Sequence, residues 1–365
     1  MHAVLLLAAL ATGRPGHPGV ELLADSIANV VALSDSLALC SDLSGRFFTI
    51  SLPSGERAGW ASSWQPADDG WELREGASWD GNIFVLNMSP NRRHLVYAQG
   101  VRLPERYQLP RDREGMRGCF VVVLCNPDGS GAHPVALGVE VGGGPDYDFT
   151  SDSRRLVGQP FYACLPTPAA YADFVHRDWD DPSVSPFDFI DVETGERGVI
   201  PGLDVSDGYW KCPWSDYFRI ENNWYEEHDF SSFATGGTVG RYSVPEGSEG
   251  FIRGWVLPDA VLMAGPTRWR VVFVDGRAVD GPPMTWDLYC RLPDGSYLYS
   301  TDEGRHVLHG LVDWTTGEVG EAVQCPGLED FQDATFLPLP GSGGVLLHTS
   351  PLSDTGRLSY FELPR

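Results

Sequence analysis

Trp60, Trp64, Trp71 and Trp79 fall between positions 60 and 79, interleaved with Asp68, Asp69, Asp80 and Asn82. Further along, Trp210, Trp214, Trp224 and Tyr225 form a second aromatic group. Aromatic rings offer large contact areas at little rotamer entropy, and with carboxylates nearby they suit sugars, peptides or cationic groups. The same rings serve a core equally well, and Trp214, Trp269 and Trp314 read as structural. Between 99 and 118, Arg102, Arg106, Arg111, Arg113 and Arg117 stand among Glu105, Asp112 and Glu114. Forked guanidinium groups grip carboxylate or phosphate, or pair with the acids beside them. His176-Arg177-Asp178-Trp179-Asp180-Asp181 places carboxylates beside another ring, and Asp146, Asp148 and Asp152 form a looser set. Neither set has the spacing of a twelve-residue calcium loop, so no metal is expected. His306 and His309 are three apart on an expected strand and so point to opposite faces. His228, beside Glu226, Glu227 and Asp229, is a candidate base or ligand without a recognisable nucleophile partner.

Several chemistries have no support. The chain holds no G-x-S-x-G elbow, P-loop or H-E-x-x-H, and no G-x-G-x-x-G in a dinucleotide-binding context, so no catalytic residue and no cofactor is assigned. Lys211 is the one lysine, and any imine chemistry would have to use it. The formal charge is −24 and the sequence pI about 4.6, a balance that repels phosphate backbones and excludes nucleic acid as an expected partner. The seven cysteines are odd in number and lack a C-x-x-C pair. Most sit in apolar runs, such as Leu39-Cys40 and Cys119-Phe120-Val121, which predicts free, buried thiols and a cytoplasmic location. The run from Ala3 to Ala11 gives the alternative of a weak secretory signal, and it is too short to span a bilayer. Residues 1–16 are accordingly set apart from a domain of residues 17–365.

The elements that must carry these loops come from a repeat. Met88-Ser89-Pro90-Asn91-Arg92-Arg93-His94-Leu95-Val96-Tyr97 aligns with Phe149-Thr150-Ser151-Asp152-Ser153-Arg154-Arg155-Leu156-Val157-Gly158. Each has an apolar residue, a polar reversal and an apolar strand. A second signature is a strand running into a glycine turn, as in Phe187 to Glu196 and Leu311 to Glu318. Together they trace about seven units of roughly 50 residues, each with strands a to d from the inside outward. The expected fold is all-β: a single β-propeller of seven four-stranded blades. Six remain open because the fifth unit is tight. His17-Pro18-Gly19-Val20-Glu21-Leu22 resembles the d-strand segment His133-Pro134-Val135-Ala136-Leu137, so an N-terminal strand is expected to close the last blade.

The S-P-N-R-R-H-L-V-Y and V-E-T-G-E segments resemble the WD-like repeats of TolB-type β-propellers. That resemblance implies a fold and a habit of surface binding, and no catalytic residue. In such a fold the d-to-a and b-to-c connections share one face. The long segments 61–81, 99–118, 163–185 and 224–237 are assigned to these connections. The expected function is a non-catalytic binding or scaffolding propeller. Its loop face over blades one to four would take a protein segment, a peptide or a small polar ligand such as a sugar, without membrane insertion. The expected ligand-binding residues are Trp60, Trp64, Trp71, Trp79, Arg106, Asp178, Trp179 and Trp224. The alternative is a glycoside-processing or lyase-type enzyme using loop carboxylates, which would need paired acids over the central funnel.

Overall fold

Antiparallel pairing divides the chain into seven sheets, one per repeat. The computed structural model describes residues 20–42, 46–73, 83–102, 104, 106, 119–139, 147–161, 167–169, 187–203, 209–220, 227–246, 250–302, 305–331, 333–341, 343–349 and 356–364. Residues 1–16, set apart above, lie outside this range. Blade one runs from Ile27–Ser34 to Arg57–Gly59, blade two from Ile83–Met88 to His133–Val139, and blade three from Tyr147–Phe149 to Arg197–Gly198. Blades four, five and six begin at Tyr209–Lys211, Ile252–Leu257 and Asp287–Arg291 and end at Thr238–Ser243, Ala278–Pro283 and Glu318–Gln324. Blade five is complete, its compactness coming from a short b-to-c turn at 265–267. The chain is a seven-bladed β-propeller. Among the described residues, no helix is long and apolar enough to cross a membrane.

Closure follows the expectation. Blade seven takes its three inner strands from Ala334–Pro338, Gly344–Thr349 and Leu358–Glu362, and its outer strand is Val20–Ala24. Val20 stands opposite Phe361 and Ala24 opposite Leu358, so the first and last strands lock the ring. An edge that would otherwise present unpaired peptide groups is thereby covered.

The core is distributed as seven apolar clusters, one at each blade–blade interface. Strand c of blade two shows why its sequence reads as an uninterrupted apolar run. Val121, Val123 and Cys125 point into the interface with blade one, and Val122 and Leu124 into that with blade three. A strand buried on both faces has no polar side to alternate with.

The two turn signatures have a common geometry. In blade two, Ser89 Oγ donates to Asn91 Oδ1 at 2.8 Å and accepts from His94 N at 2.9 Å. In blade three, Thr150 Oγ1 donates to Asp152 Oδ1 at 2.7 Å and accepts from Arg155 N at 2.9 Å. The fourth turn residue, Arg92 or Ser153, has φ near +60°; blade six places Gly295 there. Neighbouring a-to-b turns are also tied together: Asn91 N donates to Ser153 Oγ at 2.9 Å, Ser151 N to Asp216 Oδ1 at 2.7 Å, and Ser215 Oγ to Pro258 O. In the V-E-T-G-E turn, Gly195 N donates back to Asp191 O at 2.8 Å, and Gly317 N to Asp313 O at 2.7 Å. Glycine is required because φ is +70° and +76° at these positions.

Candidate functional site

The d-to-a and b-to-c connections leave the blades at one end, here called the loop face. The first long connection, 60–82, is fastened along its early part. Trp60 Nε1 donates to Pro127 O at 2.9 Å, and Ser63 N donates to Gly129 O at 2.8 Å. Tyr97 in strand b of blade two donates its hydroxyl to Ser62 Oγ at 2.6 Å. The segment then makes a 3-10 turn, Pro66–Asp69, ended by Gly70 in the left-handed region at φ 81°.

Trp64 and Trp71 bracket that turn, and both are core residues, 6% and 2% exposed. They pack with Leu95, Tyr97, Val121 and Val123 between blades one and two. Trp64 Nε1 donates to Asp69 Oδ2 at 2.6 Å, so its one polar atom is satisfied within the turn. Trp60 is half-buried and edge-on to Phe47 and Tyr97, at centroid distances of 4.8 and 6.1 Å. This corrects the expectation of ligand contacts at Trp64 and Trp71, while Trp60 keeps a partly exposed ring. The outer strand of blade one is only three residues long, and the rings fill the interface beside it. The connection finally adds the short strand Glu72–Leu73 to strand b of blade two, opposite Arg102 and Val101. Strand b therefore extends through Arg102, and the next connection is 103–118 rather than 99–118.

Three insertions meet beyond this anchored base. A Cβ at Gly70 would lie 3.8 Å from Arg106 Nη2 and 3.9 Å from Pro168 Cγ. Gly70 belongs to the 60–82 connection, Arg106 to the b-to-c connection of blade two, and Pro168 to that of blade three. Arg106 and Asp68 are exposed there, whereas Pro168 is buried. Sequence reasoning singled out Arg106 but neither neighbour. The P-A-D-D-G string at 66–70 was the available signal for a left-handed cap. Trp79, Asp178, Trp179 and Trp224 lie outside the described residues.

The fourth expected loop, 224–237, is corrected. Glu227–Ser232 is strand c of blade four, and 233–237 is a c-to-d turn on the opposite face. His228 in that strand is 1% exposed. Its Nδ1 accepts from Arg219 Nε at 3.0 Å, and its Nε2–H donates to Gly250 O at 3.2 Å. Burial, reinforced by the Arg219 charge, holds the ring near pKa 4, so it is neutral and structural at pH 7. Asp229 is equally committed, to Arg241 Nη2 at 2.9 Å. His306 and His309 sit in separate networks, His306 with Gln324 and Asp302, and His309 with Ser296 and Pro364 O. Among the described residues no group of three His, Cys, Asp or Glu side chains has the arrangement of a metal site.

No protein-family model matches the chain, and no curated protein matches it. The TolB-type resemblance therefore stands on the turn motifs alone. Among solved structures, the chain is similar to the β-propeller domain of Myceliophteria thermophila Cps50 (Swd1). Identity is 11% over 96% of this chain and 98% of that one, with a TM-score of 0.46. It is also similar to the WD40 β-propeller domain of Doa1, at 11% identity over 93% and 96%, with a TM-score of 0.42.

Proposed function

We propose that this chain is a non-catalytic binding propeller that takes a protein segment on its loop face, over blades one to three. The observation that supports this most is the meeting of Gly70, Arg106 and Pro168, contributed by three separate insertions. Connections 103–118 and 162–186 leave from that face and 60–82 reaches it at Gly70–Leu73, whereas the equivalent turn of blade five is only 265–267. Long loops on a rigid scaffold carry an ordering cost without adding core, and binding surfaces are their usual purpose. Trp64 and Trp71 then act as anchors that fix the insertion from below.

A photo-crosslinking amino acid placed at Asp68 or Arg106 in the native host tests the reading. Both positions are expected to capture the same protein, and a probe at Glu56, on the opposite face, to capture none of it. Equal capture at Glu56, or no shared partner at 68 and 106, would overturn the reading.

A further inference from the structure

The outer strand of blade six, Glu318–Gln324, is exposed at every one of its seven residues. Five of the other six outer strands carry devices that blunt a sheet edge, and the sixth, Val20–Ala24, is five residues long against seven for Glu318–Gln324. Arg57–Gly59 and Arg197–Gly198 are very short, His133–Val139 contains Pro134, and Ala278–Pro283 ends in Pro282-Pro283. Thr238–Ser243 places Arg241 on its edge. Glu318–Gln324 has neither proline nor any basic residue.

Its backbone orientation is fixed by the next residue. Cys325 N donates to Val307 O at 2.8 Å, so Cys325 points inward to strand c. Peptide groups alternate along a strand, which turns those of Gln324 and Ala322 outward, away from any partner strand. Apolar side chains line the same edge. Val319 and Val323 are each 43% exposed, and Leu311 on strand c is 60% exposed. Gly320 leaves Leu311 uncovered, since it carries no side chain where a Cβ would lie 3.4 Å from Leu311 Cβ.

The strand carries only acidic charge, Glu318 and Glu321, with Asp313 opposite Glu318 in the ladder. From His306 to Gly356 the sequence has no lysine or arginine, while Asp313, Glu318, Glu321, Glu329, Asp330 and Asp333 all fall within it. Two copies of the edge would bring Glu318 and Glu321 against their like, which disfavours self-pairing.

We infer that the Glu318–Gln324 edge is a docking site for an extended basic segment of another protein, added as a further strand of blade six. Backbone hydrogen bonds to Ala322 and Gln324 hold it. Glu318, Glu321, Val323 and Leu311 share one face, so the arginine side chains of the added strand pair there with the two glutamates and lay their methylene stems over Val323 and Leu311, while its alternate apolar side chains lie on the Val319 face. The site lies on the rim of blade six and is independent of the loop face.

The probe is a fluorescein-labelled heptapeptide of alternating arginine and valine, titrated by anisotropy against the full chain. Ala322→Pro removes an outward donor without breaking the ladder, and Glu318→Lys with Glu321→Lys reverses the local charge. Each is expected to weaken binding at least tenfold with an unchanged melting curve. Hydrogen exchange at the Ala322 and Gln324 amides of the unmodified protein should slow when the peptide is bound. Three results would overturn the inference. The first is equal binding of a proline-interrupted peptide of the same charge, which shows electrostatic attraction alone. The second is binding unaffected by Ala322→Pro. The third is a dimer abolished by Ala322→Pro, which assigns the edge to a second copy.

Discussion

Arg219 Nε donates to Nδ1 of His228 at 3.0 Å in the interior of blade four, an arrangement that only the neutral imidazole permits. The folded pKa is lowered to about 4, by burial first and the Arg219 charge second. In the unfolded chain the same ring titrates near 6.5. Between these values the unfolded state binds the extra proton, so stability is full above about pH 6.5 and falls as pH drops towards 4. The loss from this residue is on the order of 3 kcal/mol. Urea unfolding from pH 7.5 to 4.5 should show that slope, and His228→Gln should flatten it. Asp191, held near pKa 2 by backbone donors in its turn and by Arg154, contributes only at lower pH.

Trp71→Ala is expected to destabilise the protein by about 3–5 kcal/mol, the range for deleting a large buried ring. Asp69→Ala removes the acceptor of the Trp64 indole and should cost about 1–3 kcal/mol, while Asp69→Asn keeps an acceptor and should cost less. Thermal and chemical denaturation of the three variants separates these outcomes. A Trp71→Ala protein with unchanged stability would show that the ring does not belong to the core.

What was legible in the sequence follows the range of the physics involved. The a-to-b and c-to-d reversals are specified by residues within a few positions of each other, as at Ser89–His94 and Asp191–Gly195, and these make the blades legible; the closing strand is legible in the likeness of His17–Leu22 to His133–Leu137. The aromatic insertion was visible as a composition. Whether Trp64 and Trp71 face water depends on an interface formed with strands b and c of blade two, far along the chain. Strand c of blade four, Glu-His-Asp-Phe-Ser-Ser, falls inside the expected 224–237 loop and looks polar. Its polar groups are buried with partners, His228 on Arg219 and Gly250, and Asp229 on Arg241, and such partnering leaves no local mark.

Removing residues 1–24 takes away the outer strand of blade seven, and with it Ala24 from the blade seven–blade one core. The truncated protein should melt at a markedly lower temperature. It should also aggregate with rising concentration, because Leu358–Glu362 becomes an open edge. Scanning fluorimetry and light scattering measure both effects. An unaltered melting curve would mean that the ring does not depend on this strand.

Cys40, Cys125, Cys212, Cys290 and Cys325 are free thiols, and each is shifted away from reactivity. Burial is the main cause, and it raises Cys40, Cys125, Cys290 and Cys325 to about 12. At pH 8 a thiol of that pKa is a thiolate in roughly one molecule in ten thousand, and the thiolate is the reacting form. All five also pack between blades, Cys40 against blade seven, Cys125 against blade one, Cys212 against blade five, and Cys290 and Cys325 against blade seven. Alkylation must therefore wait for neighbouring blades to separate. With iodoacetamide and no reductant, these cysteines should stay unlabelled in the native protein and label fully after denaturation, with peptide mapping by mass spectrometry as the readout. Rapid native labelling of Cys40 or Cys325, which flank the closing blade, would show that the ring opens at its seam on the timescale of the reaction.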